Sequence, residues 1–178
     1  MKPGHIGRCV TRGRYAFTAR ERCLPYIDRL GEQERSMPNS AIVYASQAAP
    51  GFTPERLAAL MEDAARFNRS AGVTGVLLFD GQRFLQYMEG PADGLDVAFS
   101  RVSGARSHTE LTELGRGRVG QRRLPFWPMR CLSVSAGELQ MIALADWSRF
   151  IQRAVTSQDE DEAMQKLLAI VEPYANAA

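Results

Sequence analysis

Two apolar segments joined by Asp80-Gly81 constrain the fold of this chain more than any other feature. They run from Val73 to Phe79 and from Arg83 to Met88, and each has the length of a strand. Asp-Gly between such segments is a strong signal for a tight hairpin turn. The two strands are therefore predicted to pair antiparallel.

The segments around this hairpin predict helices and strands in alternation. Thr53 and Pro54 mark one helix start, as N-cap and first helical residue, and Ala71-Gly72 marks its end. In chain order the predicted elements are a strand at 41–46, this helix, the hairpin, a second helix at about 91–103, and strands near 109–115 and 126–134. The order βαββαββ predicts an α+β sandwich of ferredoxin-like topology.

Two more amphipathic helices are predicted after the last strand. Each opens with a capping-box pattern, Ser135-Ala-Gly-Glu138 and Ser157-Gln-Asp-Glu160. A ferredoxin-like sandwich carries its helices on one sheet face, so these C-terminal helices are expected to cover the other face or a partner subunit. Their apolar faces, including Trp147 and Phe150, are the expected contact surface for a partner.

The chain is predicted to consist of three parts, and its charge distribution separates the first part from the other two. Residues 1–37 hold eight Lys/Arg and four acids, whereas the rest holds 14 and 16 of the totals of 22 and 20. We predict a basic, disordered leader at 1–37, a folded domain at 38–134 and a helical tail at 135–178. An over-long gene start with initiation at Met37, or a nucleic-acid or partner-binding arm, are the alternatives for the leader.

Composition excludes several classes of protein. The 45% hydrophobic residues suffice for a buried core, and no run approaches the ~18 apolar residues of a membrane span. Cys9, Cys23 and Cys131 are an odd number without metal-ligand spacing, which argues against disulfides and zinc and favours the cytoplasm. No phosphate-binding glycine loop or catalytic triad pattern is present, so no enzyme, metal site or membrane partner is expected.

Strand alternation brings polar side chains into one apolar cleft. One strand face carries Ile42, Tyr44 and Ser46, and the second hairpin strand carries Phe84, Gln86 and Met88 on one face. Asn68 lies on the inward stripe of the first helix. Buried amides without partners cost about 1–3 kcal/mol each, so these groups satisfy one another or a bound polar heterocycle does. Taken singly, each could instead be a packing residue, or a helix C-terminal residue for Asn68.

The same segments resemble the BLUF family of flavin-binding blue-light sensors. The matching motifs are Tyr44-Ala-Ser46, Ala65-Arg-Phe-Asn68, Val73-Thr-Gly-Val-Leu, Phe84-Leu-Gln-Tyr-Met-Glu-Gly90 and Phe126-Trp-Pro-Met129. They cover about residues 40–133, and the hairpin segment is the most specific. The resemblance implies a short stand-alone photoreceptor, with FAD bound non-covalently between the two helices.

The resemblance also implies roles for individual residues. Tyr44 would donate an electron and a proton to the excited flavin, and the Gln86 amide would lie between that phenol and the N5/O4 edge of the ring. Asn68 would hold the O4/N3 side and Arg101 the opposite carbonyl. His108 matches the family histidine near the cofactor, as a hydrogen-bonding residue.

Signal output is assigned by the resemblance to a Trp-x-Met pair. Trp127 and Met129 are expected on the same face of the last strand, where they would report the state of the glutamine. Pro128 between them favours an edge or a bulge. An unidentified effector protein and a homo-oligomer are the implied partners.

Departures from the family pattern lie after the second helix. The usual Asp-x-Arg-His run is Ala105-Arg106-Ser107-His108 here, which removes contacts that help to seat the flavin. A degenerate interaction module without flavin is therefore the alternative. The basic run 116–123 is expected in a solvated hairpin loop, so nucleic acid is not an expected partner. Glu89 and Gly90 are interpreted as turn-region residues.

Overall fold

A computed structural model describes residues 39–148 and 162–175 of the 178-residue chain. The leader, Phe150 and the capping-box pattern at Ser157 lie outside the described residues. In chain order the elements are β1 (Asn39–Ala48), α1 (Pro54–Ala71), β2 (Thr74–Phe79), β3 (Arg83–Gly90), α2 (Ala92–Ser103), β4 (His108–Gly120), β5 (Arg130–Ser133), α3 (Ala136–Ala143) and α4 (Glu162–Ala175).

The strands form one sheet in the order β4-β1-β3-β2-β5. All neighbouring pairs are antiparallel except β2 and β5, which run parallel. The predicted α+β architecture and the β2–β3 hairpin are confirmed.

The expected hairpin between the last two strands is wrong. β4 and β5 lie at opposite edges of the sheet, and residues 121–129, here called the crossover segment, connect them. Arg116 and Arg118 belong to β4 rather than to a loop. A tight turn joins only neighbouring strands, so strands at opposite edges need a connection that crosses the sheet.

Local sequence sets both ends of α1. The Thr53 side chain accepts a hydrogen bond from the Arg56 N–H at 3.4 Å, and Pro54 occupies the first helical position. Gly72 ends the helix with φ 67°, a left-handed conformation that favours glycine. The predicted N-cap and C-cap are thus confirmed.

The two faces of the sheet carry separate hydrophobic clusters. The helix face, covered by α1 and α2, holds Ile42, Tyr44, Val73, Met88, Leu95 and Ala98. The tail face, covered by α3 and α4, holds among others Val43, Leu85, Tyr87, Leu132, Leu139, Ile142, Trp147, Met164, Leu167 and Val171. The prediction that the C-terminal helices cover the second sheet face is confirmed for the described residues.

The C-terminal helices use their apolar stripes within the chain itself. Trp147 lies beyond α3, which ends at Ala143, so its predicted position on a helix is wrong. Its side chain is only 3% exposed and packs against Gly115 of β4, which contradicts the expectation that it contacts a partner. Ser135 and Glu138 complete the predicted capping box at the start of α3. No helix in the described part of the chain is long and apolar enough to cross a membrane.

Candidate functional site

A cleft lies between α1 and α2 on the helix face of the sheet. Its empty volume is about 700 Å³, part of it open to solvent. The apolar lining comes from both helices and the sheet, and includes Leu60, Met61, Phe67, Leu77, Phe84, Met88, Ala98 and Val102. The polar groups in this wall decide what the cleft can bind.

Tyr44 and Gln86 face each other at the floor of the cleft. They are directly paired in the β1–β3 register, and both side chains are buried. The phenol of Tyr44 donates a hydrogen bond to Gln86 Oε1. Burial raises the pKa of Tyr44 well above its usual range, which keeps the phenol protonated.

The amide nitrogen of Gln86 points toward the crossover segment. Gln86 Nε2 donates to the thioether sulfur of Met129 at 3.7 Å. Sulfur is a weak acceptor, so this contact holds the amide less firmly than an oxygen would. The amide is therefore held more weakly on its nitrogen side than on its oxygen side.

Asn68 reaches the cleft from the last turns of α1. It is buried, and its Nδ2 donates to the backbone carbonyl of Pro128 at 2.8 Å. The structure thus brings together Tyr44, Asn68 and Gln86 as predicted, and adds Pro128 as an anchor.

Two buried polar atoms in the cleft wall have no hydrogen-bond partner in the described residues. They are Ser46 Oγ and His108 Nδ1. The other ring nitrogen, His108 Nε2, donates to the carbonyl of Val102 at 3.0 Å, since a carbonyl can only accept. Buried unpartnered polar atoms cost free energy, so both atoms suit a ligand with matching polar groups.

Arg101 lines the cleft, but its guanidinium contacts other side chains of the protein. Its guanidinium lies 2.9 Å from Asp63 on α1 and 4.3 Å from the ring centroid of Phe67. Asp63 and Arg101 are both about half exposed. The pair therefore bridges the two helices at the outer side of the cleft.

Trp127 and Met129 point to opposite faces of the sheet, so their expected placement on one face is wrong. Met129 lines the cleft, whereas Trp127 packs against the tail-face cluster. Both lie before β5, which begins at Arg130. The segment is not yet a strand here, and the backbone of Pro128 turns its carbonyl to Asn68. Pro128 thus precedes an edge strand rather than interrupting it.

A family model described as "Sensors of blue-light using FAD" matches residues 40–130 of the chain. The match covers the cleft, both of its helices and the sheet up to the start of β5. The chain belongs to the BLUF family.

Curated relatives share this domain but are much longer. The photoactivated adenylate cyclase subunit beta of Euglena longa is 28% identical over 86 residues, which is 48% of this chain and 10% of that protein. The "blue light- and temperature-regulated antirepressor BluF" of Escherichia coli K12 is 27% identical over 75 residues, which is 42% of this chain and 19% of that protein. The chain thus spans at most about a fifth of these relatives.

Solved BLUF structures share the fold. The dark-state structure of BlrB, "a BLUF protein", has a TM-score of 0.56 and 28% identity, covering 75% of this chain and 98% of that one. Klebsiella pneumoniae BlrP1, solved "with FMN and cyclic diGMP", has a TM-score of 0.54 and 28% identity, covering 75% of this chain and 34% of that one. BLUF domains bind flavin, and the unpartnered Ser46 and His108 atoms in this cleft fit such a polar heterocycle.

Sequence reasoning missed a second polar cluster, which lies outside the cleft and is centred on Glu89 and Arg122. Glu89 is not a turn residue but the penultimate residue of β3, and it is fully buried. Arg122 likewise is no solvated loop residue, because its guanidinium donates to Thr74 Oγ1 and to the carbonyls of Gly72 and Glu89. The burial of Glu89 could have been predicted from the alternation of side chains along β3, which puts Glu89 on the same face as Leu85 and Tyr87.

Within residues 39–148 and 162–175, no three His, Cys, Asp or Glu side chains lie close enough together to hold a metal ion.

Proposed function

We propose that this protein is a blue-light photoreceptor that binds FAD non-covalently in the cleft between α1 and α2. The observation that carries the proposal is the buried hydrogen bond from Tyr44 to Gln86 in the wall of that cleft. This bond joins a protonated phenol to an amide that can exchange its acceptor and donor ends. Family membership supports the proposal, since BLUF domains are sensors rather than catalysts.

Four polar groups would hold the flavin besides Tyr44 and Gln86. Asn68, Ser46 and His108 lie in the wall of the cleft, and the last two carry the unpartnered atoms. Arg101 would reach a ring carbonyl by giving up its contact with Asp63. That exchange is inexpensive, because exposed ion pairs contribute only about 0–1 kcal/mol.

The proposed chemistry depends on the hydrogen bond between Tyr44 and Gln86 and on how it can rearrange. A bound flavin supplies blue-light absorption and an excited state able to accept an electron. Tyr44 holds its proton at the phenol oxygen and directs it along the hydrogen bond to Gln86 Oε1. Rotation of the Gln86 amide would instead turn its NH₂ toward Tyr44 and its oxygen toward Met129. The dark and lit states then differ in one hydrogen-bond network, without covalent change in the protein.

Output would pass from Gln86 to Met129 and onward to Trp127. Met129 contacts the amide in the cleft, and Trp127 packs against the cluster that holds the C-terminal helices. A change in this contact would regulate an effector protein or the assembly of the chain into oligomers. The cyclase and antirepressor names of the relatives illustrate such effectors. The cytoplasm remains the expected location.

The first test is the absorption spectrum of the purified protein in the dark and under blue light. A flavin band that shifts reversibly to the red is expected for the wild type. Tyr44→Phe removes the phenol proton and Gln86→Leu removes the amide, so each should abolish the shift while leaving flavin bound. Tyr174→Phe and Gln140→Leu, which change exposed helical residues, should behave as the wild type. An unaltered shift in Tyr44→Phe or Gln86→Leu would contradict the mechanism.

The identity of the flavin needs its own test. Titration of the apo-protein with FAD, FMN and riboflavin should give the tightest binding for FAD. Tighter binding of FMN would show that FMN rather than FAD is the cofactor, without contradicting the proposal that the protein is a photoreceptor.

The second candidate function is a protein-interaction module that no longer binds flavin. Ala105 and Ser107, which replace the acid and arginine of the family pattern, both line the cleft and leave it with fewer charged contacts. This candidate predicts a colourless protein that stays colourless after incubation with excess FAD.

A further inference from the structure

The crossover segment is attached to the rest of the domain near its start and near its end. At its start, Arg122 donates to Thr74 Oγ1 at 2.6 Å and to the Glu89 carbonyl at 3.0 Å. Near its end, the carbonyl of Trp127 accepts from the Gly75 N–H at 3.0 Å. Hydrogen bonds of this kind fix the path of a segment that is neither helix nor strand.

The central attachment is the side chain of Glu89. Its carboxylate accepts from the backbone N–H groups of Arg123 and Leu124, at 2.8 and 2.7 Å, and from the Tyr87 hydroxyl at 3.0 Å. Glu89 is 0% exposed. Charge-assisted hydrogen bonds to consecutive backbone amides are short and directional, so this carboxylate sets where Arg123 and Leu124 lie.

Tyr87 supports the carboxylate from the same strand face. Its side chain is fully buried in the tail-face cluster, and Leu124 is buried in the same cluster. Burial, together with the charge of Glu89, raises the pKa of Tyr87, so its hydroxyl stays a donor. The attachment is therefore built into the hydrophobic core rather than exposed at the surface.

The far end of the same segment touches the proposed flavin site. Five residues after Leu124, Met129 accepts from Gln86 Nε2, and the carbonyl of Pro128 accepts from Asn68. The two ends are thus held from opposite faces of the sheet, one by Glu89 and one by the residues of the cleft.

We propose that Glu89 is a positioning residue for the light response, an inference that rests on the proposed function. By holding Arg123 and Leu124, its carboxylate fixes the crossover segment so that Met129 and the Pro128 carbonyl meet Gln86 and Asn68. The segment then resists rearrangement of the Gln86 amide, and links that rearrangement to the tail-face cluster that includes Leu124 and Trp127.

The test compares Glu89→Gln and Tyr87→Phe with the wild type. Glutamine keeps the size of the side chain but presents an NH₂ group to two backbone donors, so one attachment is lost. Glu89→Gln should retain bound flavin but recover from the lit state about three- to tenfold faster, the range expected for one hydrogen bond. Tyr87→Phe should change recovery in the same direction and by less.

Amide hydrogen exchange provides a readout that does not depend on light. In Glu89→Gln, the amides of Arg123 and Leu124 and those up to Met129 should exchange faster than in the wild type, while amides of β1 should not. Glu62→Gln on the exposed face of α1 is the matched control and should change neither exchange nor recovery.

The outcomes separate this inference from the proposed function. Wild-type recovery and exchange in a folded Glu89→Gln protein would overturn the role of Glu89. If that variant does not fold, wild-type recovery and exchange in Tyr87→Phe would overturn it instead. A wild-type protein without a light-induced shift would refute the photoreceptor, whereas exchange in the apo-protein would still decide whether Glu89 holds the segment.

Discussion

Tyr44 is a phenol in a position that strongly favours its neutral form. It is buried at the floor of the cleft, beside the rings of Phe99 and His108 at centroid distances of 5.7 and 6.2 Å. Burial raises the pKa of Tyr44 above its usual value of about 10. The stability associated with the neutral phenol is therefore full below about pH 10, and is lost as the pH rises toward the folded-state pKa.

Alkaline titration should reveal this shift. Up to about pH 11, native wild type and native Tyr44→Phe should show equal tyrosinate absorbance, because Tyr44 does not yet ionise. In denaturant the two proteins should differ by one titrating tyrosine, which serves as the internal control. A difference of one tyrosine between the native proteins below that pH would show that Tyr44 is accessible to water.

Single residues could be predicted where strand alternation and helix periodicity sufficed. Tyr44, Gln86 and Asn68 share a cleft because their positions in regular elements fix the face on which they lie. Glu89 could not be recognised, since its partners are backbone amides about 35 positions away in an irregular segment. The placement of Trp127 and Met129 failed for the same reason, because alternation does not apply outside a strand.

At the scale of elements, the spacing of α1 and α2 depends on Gly94. A Cβ atom on Gly94 would lie 2.1 Å from the carbonyl oxygen of Ala71 at the end of α1. Backbone atoms cannot yield at that distance, so any side chain here forces the two helices apart. Gly94 therefore sets the width of the cleft at this end.

Gly94→Ala should destabilise the protein by about 1–3 kcal/mol, the usual cost of overpacking, and should weaken flavin binding. Gly137→Ala is the matched control, because nothing lies within 4 Å of a Cβ at this position in α3. It should stabilise the protein by about 0.5–1 kcal/mol, as alanine replaces glycine in a helix. Denaturant unfolding and flavin titration of both variants measure these effects. Equal stability of the two variants would contradict the close helix contact.

Elements with local signals were predictable, and long-range connections were not. Thr53, Pro54 and Gly72 mark α1 through local backbone chemistry, and Asp80-Gly81 marks the hairpin. No comparable local sequence signal shows that β5 pairs with β2, in parallel, rather than with β4. The connection between β4 and β5 is held by long-range contacts, those of Glu89 and Arg122 among them, which leave no local pattern in the sequence.

At the scale of the whole molecule, α3, α4 and the segment that follows α3 all contribute to the core. Trp147 packs into the tail-face cluster, and its indole N–H donates to the carbonyl of Ile142 at 3.1 Å. By contrast, Leu144 is 77% exposed only three residues earlier. Trp147 therefore contributes to the stability of the core, whereas Leu144 does not.

Trp147→Ala should lower the free energy of unfolding by about 3–5 kcal/mol, since it empties a large volume in the core. Leu144→Ala should change it by less than about 0.5 kcal/mol, as expected for a surface position. Urea unfolding of both variants makes the comparison. A small effect of Trp147→Ala would mean that the segment after α3 does not pack on the sheet in solution.

The alternation of β3 restricts how this chain can vary. Phe84, Gln86 and Met88 face one side of the strand, and Leu85, Tyr87 and Glu89 face the other. Inserting or deleting one residue inside β3 would exchange these two sets, since side chains alternate with a period of two. Gln86 would enter the hydrophobic core, and the carboxylate of Glu89 would enter the cleft. Substitutions in β3 leave this arrangement in place, whereas a change of its length by one residue disturbs both faces unless a bulge absorbs the extra residue.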